Sequence, residues 1–248
     1  MKIIIFILSL LLTFSIVTLY GQNENEQDIS EEIIEFELNK QYSIKLKQIS
    51  ESEYTARKAA TEQLRHKPYK VITDVTQARK MLGEKVKSFE VYDEKQNYHY
   101  PALEITFKGG VKKRFDWRSM DDEGFIAYYP ELKVLILNHE ADGNHPIDFN
   151  DSTNEHVGNP RYHVLSPDKQ LRIAGYYPGG AWDGVHYFLE KWNPKRKKYE
   201  FVNYFENEGN YALTFLFAGD WFWTSNNKVF FRVTTYMGGY YEMEILNK

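Results

Sequence analysis

Apolar positions in this chain recur at two different periods. Near the start, "IIEFEL" and "YSIKLKQI" alternate apolar with polar residues on either side of Asn39-Lys40-Gln41, the pattern of a short β-hairpin. Ser50-Glu51-Ser52-Glu53 then changes the register. Ser50 is placed to accept from the backbone N–H of Glu53, with Ile49 and Tyr54 as an apolar staple across the cap. This predicts a helix running to about Arg65. Asp74 and Gln77 repeat the capping logic, Val75, Ala78 and Leu82 recur on one face, and Gly83 closes a second short helix.

Beyond Gly83 the pattern predicts no further helix. Short apolar runs follow, among them "SFEVYD", "ALEITF", "FIAYY", "KVLILN", "LRIAGYY", "VHYFLEKW", "YEFVNYF", "ALTFLF", "WFWT", "KVFFRVTTY" and "YYEMEIL". Glycine, proline, asparagine and aspartate separate them, and Lys108-Gly109-Gly110 reads as a tight turn. These are antiparallel strands joined by hairpins. A small α/β segment (residues 32–85) is thus expected to precede an all-β region (86–248), with a boundary near Gly83.

Three stretches share the order strand, polar turn, strand, loop, strand. They turn at Pro130-Glu131, at Ser166-Pro167-Asp168-Lys169 and at Ser225-Asn226-Asn227-Lys228. The middle one, "SPDKQLRIAGYYPGGAWDGVHYFLEKW", resembles a TolB-like β-propeller repeat. Ser166, Pro167 and Asp168 match its pattern, and Lys169 stands where glycine is usual. Asn226 and Asn227 depart from it in the last unit. In such repeats these residues shape a turn and have no catalytic role. Closed propellers use four to eight blades of roughly 40–45 residues, and the β region has room for about three or four. The expected fold is mainly β: an antiparallel meander resembling an open or small β-propeller, with a β-sandwich as the alternative.

The first residues follow another logic. Lys2 precedes a nearly unbroken apolar run from Ile3 to Leu19, and a polar run begins at Gln22. Residues 1–21 read as a secretory signal peptide and 22–31 as a disordered linker. The expected location is therefore periplasmic or extracellular, with no membrane span once the leader is cleaved; retention of the leader as an anchor is the alternative. The chain has 248 residues and a net charge of −4, and loss of Lys2 makes it one unit more acidic. That balance argues against nucleic acid as a partner, and Lys195-Arg196-Lys197-Lys198 reads as a solvated turn. Cysteine is absent, which removes disulfides, thiol catalysis and thiolate metal sites.

Candidate chemistry is sparse. His139, Asp142 and His145 lie in the densest polar stretch and could ligate zinc or calcium, yet no His-Glu-x-x-His and no complete EF-hand loop is present. The plainer reading is a polar hairpin. Ser166, Asp168 and His163 could compose a hydrolase triad, but Ser166 precedes proline within a turn. Asp121-Asp122-Glu123 could suit glycoside hydrolysis and reads more simply as a loop. Aromatics make up 16 % of the chain. Tyr177, Trp182 and Asp183 in "YYPGGAWDG", with Tyr240 in "YMGGYY", are the candidate binding residues, suited to a protein hot spot or to stacking on a glycan. The expected function is an exported, non-catalytic binding protein for a protein partner. The alternatives are a carbohydrate-binding accessory protein and a metal-dependent hydrolase.

Overall fold

The computed structural model describes residues 33–62, 67–121, 123–139, 143–179, 184–205, 215, 218–234 and 238–248. The leader, Asp142, Trp182, Asp183 and most of "ALTFLF" lie outside them. The fold is mainly β, with 51 % strand and 14 % helix in four antiparallel sheets, none closed into a barrel.

The N-terminal alternation forms β1 (Ile33–Glu37) and β2 (Tyr42–Ile49). Asn39 makes the turn, its Oδ1 accepting from the backbone N–H groups of Gln41 and Tyr42 at 2.8 and 2.9 Å. The helix α1 (Glu51–Ala60) starts at Ser50, whose hydroxyl accepts from Glu53 N–H. Ile49 and Tyr54 are buried in one cluster with Phe222 and Phe230. The helix ends at Ala60: Thr61 leaves helical geometry (φ −112°, ψ 7°), and its N–H bonds the Lys58 carbonyl three residues back in a tighter turn. The helix α2 (Val75–Leu82) has the expected ends. Asp74 accepts from Gln77 N–H at 2.6 Å, and Gly83 takes the positive φ of 52° that stops it.

Sheet 1 is β3 (Val86–Asp93), β4 (Tyr98–Thr106) and β5 (Lys112–Asp116). Sheet 2 is β6 (Phe125–Tyr129), β7 (Val134–His139) and β8 (Gly143–Asp148). Sheet 3 contains β9 (Val164–Leu165), β10 (Leu171–Tyr176), β11 (His186–Asn193) and β12 (Lys198–Tyr204), paired in the order 12-11-10-9. Sheet 4 holds β13 (Ala218–Trp223), β14 (Lys228–Val233) and β15 (Gly239–Asn247), with β2 and then β1 added beyond β15.

Successive sheets pack through apolar contacts. Leu103 and Ile105 of β4 share a core with Leu135 and Leu137 of β7 and with Ala78 and Leu82 of α2. A larger core joins Ile173 and Leu189 of sheet 3 to Ile44, Phe231 and Met243 of sheet 4. Sheets 2 and 3 are stitched by polar groups instead: Asn144 N–H donates to the Tyr177 carbonyl at 2.7 Å, and Tyr177 N–H donates to Asn144 Oδ1 at 3.3 Å. Residues 33–248 form one compact unit. Eight register pairs, from Tyr240 with Ile49 to Asn247 with Tyr42, join β15 to β2 across the boundary expected near Gly83.

Candidate functional site

Sheet 3 places charge where its strands read as apolar. Alternation turns Leu171 and Ile173 of β10 into the core shared with sheet 4, so Arg172 faces the other way. Its register partner on β11 is Glu190. The two form an ion pair whose side chains are only 13 % and 6 % exposed. Burial pulls the guanidinium pKa down, and the Glu190 charge and hydrogen bond outweigh it, so the value is raised and Arg172 stays charged.

Aromatic rings complete this site. The Arg172 guanidinium lies 4.2 Å from the centre of the Tyr199 ring, in cation–π geometry. Tyr199 donates its hydroxyl to the Lys169 carbonyl at 2.8 Å. Burial pushes its pKa up to about 12, so it remains a neutral phenol. Tyr69 also lies near Arg172, and burial raises its pKa while the Arg172 charge opposes the rise.

These groups line a cleft of about 680 Å³ bounded by the β7–β8 side of sheet 2, the chain from Asn150 to Gly158, and sheet 3. Its volume falls in the range of small-molecule sites. Lys198 of β12 latches the connecting chain through Asp151 at 2.7 Å, which holds the Asp151 carboxyl below its ordinary pKa. Asp148 is shifted in the opposite direction. Burial raises it, the nearby Asp151 charge adds to that, and hydrogen bonds from Asn150 oppose both. His156 stacks on Phe201 at 3.7 Å, with Nδ1 3.1 Å from the Tyr204 hydroxyl.

The cleft therefore offers ring faces and several donors and acceptors, and three of its cations are paired within it: Arg172 by Glu190, Lys198 by Asp151, Arg196 by Glu200 at 3.0 Å; Glu131, Asp148, Glu155 and Lys197 line it as well. Such a lining suits an uncharged ligand rich in hydroxyl or amide groups.

Of the residues singled out by sequence, Tyr177 stitches sheets 2 and 3 through its backbone. Tyr240 lies beside α1, its ring 4.9 Å from Tyr54, and the nearby Glu51 carboxylate raises its pKa. Trp182 and Asp183 lie outside the described residues. The backbone of His139 is the last position of β7, Asp142 is not described, and the His145 ring meets the Phe115 ring edge-on at 5.8 Å. Among the described residues no group of three or more His, Asp or Glu side chains could hold a metal ion. Ser166 is 2 % exposed, donates to Asp168 Oδ1 at 2.7 Å and accepts from Leu171 N–H at 3.0 Å, so its hydroxyl serves its own turn.

No family model, no curated protein and no solved structure matches this chain. The cleft is thus known only by its own chemistry. Sequence reasoning passed over Arg172, Glu190, Tyr199 and Tyr69. One signal was present: opposite charges interrupt the two apolar runs "LRIAGYY" and "VHYFLEKW" at positions that a hairpin brings face to face.

Proposed function

We propose that this protein is an exported binding protein whose ligand is an uncharged glycan held in the cleft between sheets 2 and 3. The observation that carries this reading is the lining itself. Tyr69, Trp192, Tyr199 and Phe201 supply ring faces and edges, and Asp148, Asn150 and Glu155 supply hydrogen-bonding groups beside them. Sugars present apolar C–H faces and a rim of hydroxyls, and this mixture of rings and polar groups answers both. Export is supported by the apolar leader Ile3–Leu19 behind Lys2. The Ser166-Pro167-Asp168-Lys169 turn supports kinship with TolB-like propeller repeats, a scaffold whose turns carry no chemistry.

The test is calorimetric titration of the purified protein with neutral oligosaccharides, alongside Trp192→Ala. Trp192 is partly exposed in the cleft and meets Tyr199 edge-on at 5.2 Å. Its loss should weaken binding about 2- to 10-fold, the size expected for one aromatic contact. No heat with any neutral sugar, together with a stoichiometric protein complex abolished by Trp192→Ala, would instead assign the cleft to a protein segment.

A further inference from the structure

A second aromatic feature lies away from the cleft, on sheet 1, and begins with a proline. Pro101 sits in β4, the central strand, where a missing N–H ordinarily disrupts a ladder. It is tolerated because β5 stops beside it: Asp116 pairs with Ala102, and no pair follows. The next residue, Trp117, turns away with a left-handed φ of 61°, which a bulky side chain rarely adopts.

Regular alternation would send Trp117 to the face opposite Asp116. The turn instead stacks its indole on Tyr100, at 4.4 Å between ring centres and 13° between planes, with Tyr98 at 5.4 Å. The Trp117 carbonyl accepts from Arg118 Nη1 at 3.0 Å, which helps hold the turn. The side chain remains prominent, with Trp117 50 % exposed.

The surroundings are polar and arranged. Arg114 donates from Nε to Asp116 and from Nη2 to the Tyr100 hydroxyl at 3.0 Å, and its guanidinium lies over Phe89. Lys112 pairs with Glu104 at 2.8 Å further along. Arg114 Nη1 and Asp116 Oδ2 carry no bond among the described residues.

We infer that Trp117, backed by Tyr100 and edged by Arg114 and Asp116, is a stacking site for one sugar ring of a polysaccharide. The choice between sugar and protein follows from shape. A protein anchor wants a desolvated pocket around it, and Trp117 instead stands 50 % exposed. A sugar ring needs one open aromatic face and hydroxyl partners at its rim, and a planar guanidinium and a carboxylate supply those. The left-handed turn fixes the ring before any ligand arrives, so little ordering accompanies binding. This site stands on its own residues, apart from those that line the cleft.

The test is affinity electrophoresis of the whole protein in gels containing hydroxyethylcellulose, xylan, mannan or pectin. The wild type should be retarded in at least one gel. Trp117→Asn, which suits a left-handed turn and removes the rings, should weaken retardation about 2- to 10-fold. Trp117→Phe should retain most of it, and thermal unfolding checks that both variants fold. Absence of retardation in all four gels, or equal retardation of Trp117→Asn and wild type, overturns the proposal. Running Trp192→Ala in parallel separates the sites: retardation lost there and kept in Trp117→Asn leaves the cleft reading and removes this one.

Discussion

Lys169 holds a left-handed backbone, with φ at 59°, at the end of the Ser166 turn. A residue with a Cβ is strained there by about 1–2 kcal/mol, while glycine gives up about 0.5–1 kcal/mol of chain entropy on folding. Lys169→Gly should therefore stabilise the protein by about 0.5–1 kcal/mol, read as a higher urea midpoint with an unchanged slope. Asp148 makes a pH-dependent prediction. Its pKa is raised in the fold, mainly by burial, so its stabilising contribution is present below the ordinary carboxylate range and fades as pH rises through the raised value. Asp148→Asn should stabilise the protein at pH 7–8, and the gain should vanish near pH 3; urea titrations at both pH values decide it. Asp151, lowered by Lys198, has the opposite sign, so Asp151→Asn should cost stability at neutral pH and little in acid. At this scale the turns were legible in the sequence, because Asn39, Ser50, Asp74 and Asp168 bond to backbone two or three residues away. The left-handed Trp117 was not, because the Tyr100 ring it turns onto lies on another strand.

Elements bring together what residue spacing leaves apart. Arg172 and Glu190 meet only because β10 and β11 pair in one register, and a one-residue slip would put the pair on opposite faces. Removing one partner leaves a buried charge, which costs about 3–5 kcal/mol. Glu190→Ala should show that loss by chemical denaturation, and the double replacement Arg172→Met with Glu190→Leu should recover most of it. The hairpins of sheets 1 to 3 were legible, since each joins neighbours along the chain. The cleft was not. Its walls come from Tyr69, the β6–β7 turn, the Asn150–Gly158 segment and β12, and no periodicity reports how two sheets approach. The expected break near Gly83 follows from the same blindness: a change from helical to strand period marks a change of element, and here α1 and α2 pack onto strands from later in the chain.

Across the whole molecule, four sheets follow one another in sequence order except at the ends, where β2 pairs with β15. Both strands bury apolar residues in the largest core, Ile44 and Leu46 from one and Met243 and Ile245 from the other. A chain beginning at Ser50 would bare that core and the edge of β15, and circular dichroism of such a chain should show loss of fixed tertiary packing. A synthetic peptide covering residues 33–49 should restore it. Mainly-β content could be read from the strand runs; which strand completes the last sheet could not, because about 190 residues separate Ile49 from its partner Tyr240. That separation also sets a clock. At roughly 5–20 residues per second of synthesis, the N-terminal hairpin waits on the order of ten seconds or more for its partner strand to be made, so every nascent chain passes through an interval in which its first β-ribbon is a sticky, unfinished edge that a chaperone, or a neighbouring chain, has the opportunity to meet.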